Sequence, residues 1–224
     1  MKTMSRALEP IPLFPLATVL FPYAPLQLHV FEDRYRQLVG DCLEKGLPVG
    51  IVLIKSGSEV GASAEPYLVG TAARIEKVHR YEDGRMDVVV VGERRFRIRR
   101  LDESEPYLVG HCEPVVEVDE DSPRKDALTM RARESFQLYV EGMFAQQAVN
   151  VKINYPTDPL ALSFLIANYL PLDPLERQRM LELTDTAERL AGLIPEIERQ
   201  VVEAKTTAYY RLSRNHLQDW IHPN

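Results

Sequence analysis

The chain lacks the patterns on which most nucleotide-driven and metal-dependent chemistry is built. None of its seven lysines, from Lys2 to Lys205, follows a glycine. It therefore has no Gly-Lys-Ser/Thr loop whose amides and ammonium could cradle the phosphates of a nucleotide. Cys42 and Cys112 are its only cysteines, too few for a disulfide framework. No Cys-x-x-Cys or His-Glu-x-x-His spacing is present, so no zinc site is expected. No charge-poor apolar run approaches the ~20 residues that a membrane helix needs. Glu9 and the prolines that follow spoil the N-terminus as a secretory signal. Basic charge is in deficit, with 27 Lys and Arg against 33 Asp and Glu. That balance disfavours a dedicated nucleic-acid binder while leaving room for one local basic face. We expect a cytoplasmic protein with two reduced, buried thiols, no cofactor and no contact with a membrane.

What the chain does have is a composition suited to a packed core: 45% hydrophobic and 27% charged over 224 residues. Its most informative stretch runs from Ile11 to Val39. Pro12, Pro15, Pro22 and Pro25 lack amide donors and cannot lie inside a central strand ladder. Yet Leu13, Phe14, Leu16, Val19, Leu20 and Phe21 are too apolar for a solvated loop. The segment should be buried, extended and repeatedly bent, as in a chain wrapping a small barrel. Leu26, Leu28 and Val30 alternate with Gln27 and His29 as in a strand. Phe31, Tyr35, Leu38 and Val39 then recur at helical spacing.

Val49 to Ile54 reads as a strand buried on both faces. Glu65 to Gly70 repeats word for word as Glu105 to Gly110. We read both copies as strand entrances, with the proline at an edge and Tyr, Leu and Val packing inward. Asp83-Gly84 marks a hairpin tip, and Val88 to Val91 belongs in a sheet interior. After the acidic run Asp119 to Asp121 the pattern turns helical. Ser122-Pro123, Asp158-Pro159 and Asp173-Pro174 are cap-then-proline helix starts, and Asp185 or Thr184 caps the last helix. Pro195 should kink or interrupt that last helix. The expected fold class is α+β: a β-rich barrel over residues 1–120 and an α-helical subdomain over 121–224.

These stretches together resemble the N-terminal domain of Lon proteases. The opening carries Pro12-Leu13-Phe14-Pro15-Leu16, Val19-Leu20-Phe21-Pro22, and Pro25-Leu26, Leu28, Val30-Phe31-Glu32, Arg34-Tyr35. Val69 to Ile75, Asp83-Gly84 and Gly92 to Ile98 are similar to the family's central hairpin. Asp158 to Leu160, Asn168 to Pro171, Gln178, Leu181, Glu182 and Ala187 to Leu190 resemble its helical half. The resemblance spans roughly residues 9 to 200. It implies a PUA-like pseudo-barrel followed by helices, and a part in recognising substrate polypeptides or in assembly. Whole Lon proteases add an ATPase and a serine–lysine protease. Neither motif is found here, and so short a chain is expected to hold neither domain or any catalytic residue.

Two candidate sites follow. Met143, Phe144 and Tyr155 flank a polar connection between helices and could contact an unfolded polypeptide or a partner protein, although a core role fits them as well. Arg95, Arg97 and Arg99 lie on a strand whose Phe96 and Ile98 face inward. They could form a phosphate-contacting ladder, an RNA-binding alternative encouraged by the PUA-like resemblance. Without an aromatic stacking platform, a solvated face paired with nearby acids is the simpler reading. The leading expectation is a non-enzymatic recognition module for polypeptide.

Overall fold

In the computed structural model the described residues are 8–59, 61, 64–118, 122–144 and 155–218, without the side chains of Phe144 and of 204–218. The elements run β1 (Glu9–Leu16), β2 (Pro25–Val30), α1 (Asp33–Lys45), β3 (Val49–Ser56), β4 (Glu65–Pro66), β5 (Val69–Arg80), β6 (Met86–Asp102) and β7 (Val109–Pro114). The helices α2 (Pro123–Phe144), α3 (Pro159–Tyr169), α4 (Pro174–Glu182) and α5 (Thr186–Gln218) follow. The chain forms two compact units, one of Met1–Val118 with Ala167–Thr184 and the other of Asp119–Ile166 with Asp185–Asn224. The change at residue 118 lies beside the boundary read from the acidic run. The return of Ala167–Thr184 to the first unit was not foreseen.

In the first unit the strands close on themselves. β1 pairs with β7, β7 with β6, β6 with β5, β5 with β3, and β3 with β1 again. Among the described residues only the β1–β3 pairing is parallel. β2 lies outside this ring against the first half of β6, and β4 against the end of β3. The seventeen-residue β6 serves both halves, so Val88 and Val90 are buried between β2 and β5 as their β-branched chemistry predicts.

Prolines inside β1 are tolerated because its pairing is divided. Glu9–Pro12 faces β7, and Leu13–Leu16 faces β3. Each half has one partnered edge, so a missing amide can turn to the other. The inward side chains Ile11, Leu13, Val52, Ala72, Phe96, Ile98 and Cys112 fill the ring. Gly70 makes that filling possible: a Cβ there would stand 2.5 Å from the Ile51 carbonyl oxygen and 2.8 Å from the Phe96 ring. Gly84 takes a φ of 84° at the β5–β6 hairpin tip, as its Asp-Gly pair implies.

The repeated hexapeptides do lead into β5 and β7. Leu68 and Leu108 each use a carbonyl to accept a strand amide, from Ile98 at 2.7 Å and Leu13 at 2.8 Å. Their side chains are not equivalent. Leu68 is 54% exposed, against the expectation that it packs inward, whereas Tyr107 is buried and donates to Asp41 at 2.5 Å.

In the second unit α2 runs against α5, burying Ala132, Phe136, Tyr139 and Val140 from one and Leu190, Leu193, Ile194 and Ile197 from the other. Ser122 caps α2, Asp158 caps α3 and Asp185 caps α5 through their side-chain oxygens. In the first unit, Asp173 and Glu176 form a reciprocal capping box on α4. α5 continues through Pro195 rather than stopping there. Arg189 is fully buried, donating to Ser163 Oγ at 3.0 Å with its guanidinium 4.3 Å from the Phe164 ring centre.

Burial pushes the Cys42 and Cys112 thiols up to about 12, with Asp41 adding to the effect on Cys42 and Glu9 to that on Cys112. The unfolded chain releases these protons near pH 9. The folded state therefore keeps protons that the unfolded state has lost. The thiols' share of stability is complete below that pH and disappears as pH climbs through the folded value. We expect iodoacetamide to leave both thiols unlabelled in the folded protein at pH 8. The midpoint of urea unfolding should fall as pH rises from 8 to 10.5. Rapid labelling of either thiol at pH 8 would contradict this account.

Candidate functional site

A groove of about 250 Å³ lies in the first unit, lined by Phe14, Leu16, Leu26, Leu28, Phe31 and Tyr35, with Thr18, Gln27, His29, Glu32 and Glu59 at its margins. The sequence builds it in three steps. β1 delivers Phe14 and Leu16 at its β3-paired end. The crossing after β1 turns back at Tyr23, whose φ of 68° is unusual for a side chain this large. It is fixed by Tyr23 N–H to Gly92 O at 2.8 Å and Gly92 N–H to Ala24 O at 3.0 Å. β2 then pairs with β6 along one edge and, among the described residues, with no strand along the other.

Four consecutive β2 residues, Leu26 to His29, line the groove. The hollow therefore meets the strand at its edge, since residues of one face alone would alternate. Its floor is the stacked pair Phe14 and Tyr35, with ring centres 4.1 Å apart. Phe31 stands at the mouth, 47% exposed. The spacing read Phe31 as part of the helix face. Glu32 is instead the extended N-cap, with φ −76° and ψ 138°, so the helix begins after Phe31 and releases its ring.

Polar groups hold the margins. His29 Nδ1 lies 2.7 Å from Asp87, and the Tyr81 hydroxyl donates to the same carboxylate at 2.5 Å. These contacts hold the Asp87 carboxyl below its usual range. Glu32 accepts from the Arg34 guanidinium at 3.0 Å and from the Gly61 amide at 3.2 Å. Tyr35 also lines a second hollow of about 250 Å³ with Arg34, Glu103, Glu105 and Tyr107. Nothing in this arrangement pairs a nucleophile with a base. Among the described residues no group of three His, Cys, Asp or Glu side chains could hold a metal ion.

The arginine ladder expected on β6 is not there as a unit. Arg95 is covered rather than solvated, its side chain 2% exposed. It donates to the Leu181 and Leu183 carbonyls, the latter at 2.6 Å, and pairs with Glu117. Desolvation lowers its pKa, with Glu117 opposing. Alternation is regular from Arg94 to Ile98, so Arg95 lies on the expected face opposite Phe96, but the Leu181 and Leu183 carbonyls and Glu117 cover that face, leaving Arg95 and Phe96 both buried. Arg97 is half-buried, and Arg99 is exposed and donates to Glu113 at 2.5 Å.

Met143 is exposed, as the polypeptide-contact reading requires, and lies in the second unit. Tyr155 is half-buried, donates to Gln137 at 2.6 Å and packs edge-on against Phe136. The Phe144 side chain and the 145–154 connection lie outside the described residues. The groove residues were legible only as core. Their one signal was the period of two in β2, which marks a half-buried strand.

The family model of the ATP-dependent protease La (LON) substrate-binding domain matches residues 10–199. The chain belongs to the Lon substrate-binding domain family. Among curated relatives it is 30% identical over 196 residues to Lon protease 2 of Syntrophobacter fumaroxidans, covering 86% of this chain and 25% of that protein. It is 26% identical over 195 residues to the Lon protease of Escherichia coli, again covering 25% of it. The chain thus spans about a quarter of the length of these Lon relatives. A crystal structure of a Lon N-terminal domain protein from Xanthomonas campestris aligns with a TM-score of 0.61 at 30% identity, covering 84% of this chain and 98% of that one. The N-terminal domain of Lon from the Mycobacterium avium complex gives 0.66 at 23% identity, with the same coverages. The α+β architecture with a ring-like sheet is that of the Lon N-terminal domain. No helix among the described residues is long and apolar enough to cross a membrane.

Arg95 is a buried residue whose removal should be strongly felt in this Lon-type unit. Arg95→Ala leaves two carbonyls and the Glu117 carboxylate without their cation, which should cost about 3–5 kcal/mol in urea unfolding. Lysine cannot reproduce a planar fork serving three acceptors, so Arg95→Lys should recover little. A variant as stable as the parent would refute the structural role.

Proposed function

We propose that this chain is a non-catalytic recognition module that binds extended, apolar segments of unfolded polypeptide in the groove along β2. The observation that carries the reading is the groove itself: a stacked Phe14–Tyr35 floor, apolar walls and a strand edge that no strand among the described residues pairs. An extended segment laid there gains main-chain hydrogen bonds from the edge and buries alternate side chains against Leu26, Leu28 and Phe31. Such binding requires a segment free of its own secondary structure, which selects unfolded over folded partners. Membership in the Lon substrate-binding domain family supports the same reading. RNA recognition by an Arg95, Arg97 and Arg99 strip loses its footing with Arg95 buried.

A fluorescence anisotropy titration with a permanently unfolded model protein, set against its folded form, tests the proposal. We expect binding of the unfolded form only. Phe31→Asp should weaken it about tenfold, since it puts a charge where an apolar side chain is to be covered. Because the Phe31 side chain is half exposed, circular dichroism should remain that of the parent. Equal affinity of parent and variant, or equal binding of folded and unfolded forms, would overturn the proposal.

A further inference from the structure

The groove's charges point to a narrower class of occupant, and this step rests on the groove reading above. Glu32 and Glu59 line the groove, and Glu103 and Glu105 line the adjoining hollow across Tyr35. The cations among these lining residues are Arg34 and, when protonated, His29. Arg34 is engaged by Glu32, with its guanidinium 4.5 Å from the Tyr35 ring centre, and His29 is held by Asp87. Among the described residues no basic side chain pairs with Glu59, Glu103 or Glu105, and all three are exposed. Tyr35 feels the local field: burial raises its phenol most, Arg34 works against that, and Glu32 and Glu59 add to it.

We propose that the preferred occupant is an apolar segment flanked by lysine or arginine, its hydrophobic stretch along β2 and its cationic head against Glu59, Glu103 and Glu105. A long basic side chain suits this site because its methylene stem can lie on the Phe14–Tyr35 surface while the charge reaches the carboxylates. An acidic segment of equal hydrophobicity meets like charge at both margins. A second copy of the chain, at a net charge of −6, is poorly matched in the same way.

The test uses three labelled peptides that share one alternating apolar core and carry Lys, Gln or Glu at both flanks, titrated by anisotropy at low and at physiological salt. The Lys peptide should bind tightest and the Glu peptide weakest, differing roughly three- to tenfold at low salt and less as salt is raised. The triple variant Glu59→Gln, Glu103→Gln, Glu105→Gln should bring that ratio close to one. Equal binding of all three peptides to the parent would overturn the charge preference and leave the groove reading standing. Binding of none would overturn both. A ratio that survives in the triple variant would place charge recognition elsewhere and overturn the proposal. Self-association in sedimentation that peptide abolishes would make the occupant a second copy, and would overturn it too.

Discussion

The divided pairing of β1 is the constraint on which the first unit depends. One eight-residue strand serves β7 with its first half and β3 with its second, and by doing so closes the ring. The prolines that seemed incompatible with a central strand are compatible with this one, because neither half needs donors along both edges. Closure also decides where the apolar side chains go. Ile11 and Leu13 enter the ring core, while Phe14 and Leu16 form part of the groove. The strand that seals the barrel therefore also lays the floor of the candidate binding site.

Side chains that reach main-chain carbonyls fix the rest of the unit. Gln178 donates to the Val69 carbonyl at 3.0 Å, Arg177 to Val19 at 3.2 Å and to Asn168 at 3.2 Å, and Arg95 to Leu181 and Leu183. These bonds explain why residues 167–184, helical though they are, belong with the strands. They also hold the crossing between β1 and β2. Arg177 grips its Val19 carbonyl and lies 5.0 Å from the Phe21 ring centre, and Thr71 Oγ donates to Leu20 at 2.6 Å. The crossing that joins β1 to β2 is thus pinned at Val19, Leu20 and Phe21.

Local chemistry made much of the fold readable. The cap-then-proline pairs located three helix starts, Asp83-Gly84 located the hairpin tip, and β-branched Val88 and Val90 located the sheet interior. Two kinds of feature escaped. Arg95 lies on the expected face but is not solvated there, because the Leu181 and Leu183 carbonyls and Glu117 cover it, and such non-local cover leaves little trace in sequence. The groove escaped because Phe14, Leu26, Leu28 and Tyr35 have the same composition whether they fill a core or line a hollow. Only the non-local meeting of β1, β2 and α1 distinguishes the two. Phe31 illustrates the margin: one residue of difference in the helix start converts a core side chain into an exposed one.

The central claim is that polypeptide is taken up along β2. Amide hydrogen exchange of the chain, alone and saturated with an unfolded apolar peptide, tests it directly. The account predicts added protection over Leu26 to Phe31 and little change in β7 or around Met143 in α2. Protection confined to α2, with β2 exchanging as in the free protein, would contradict it.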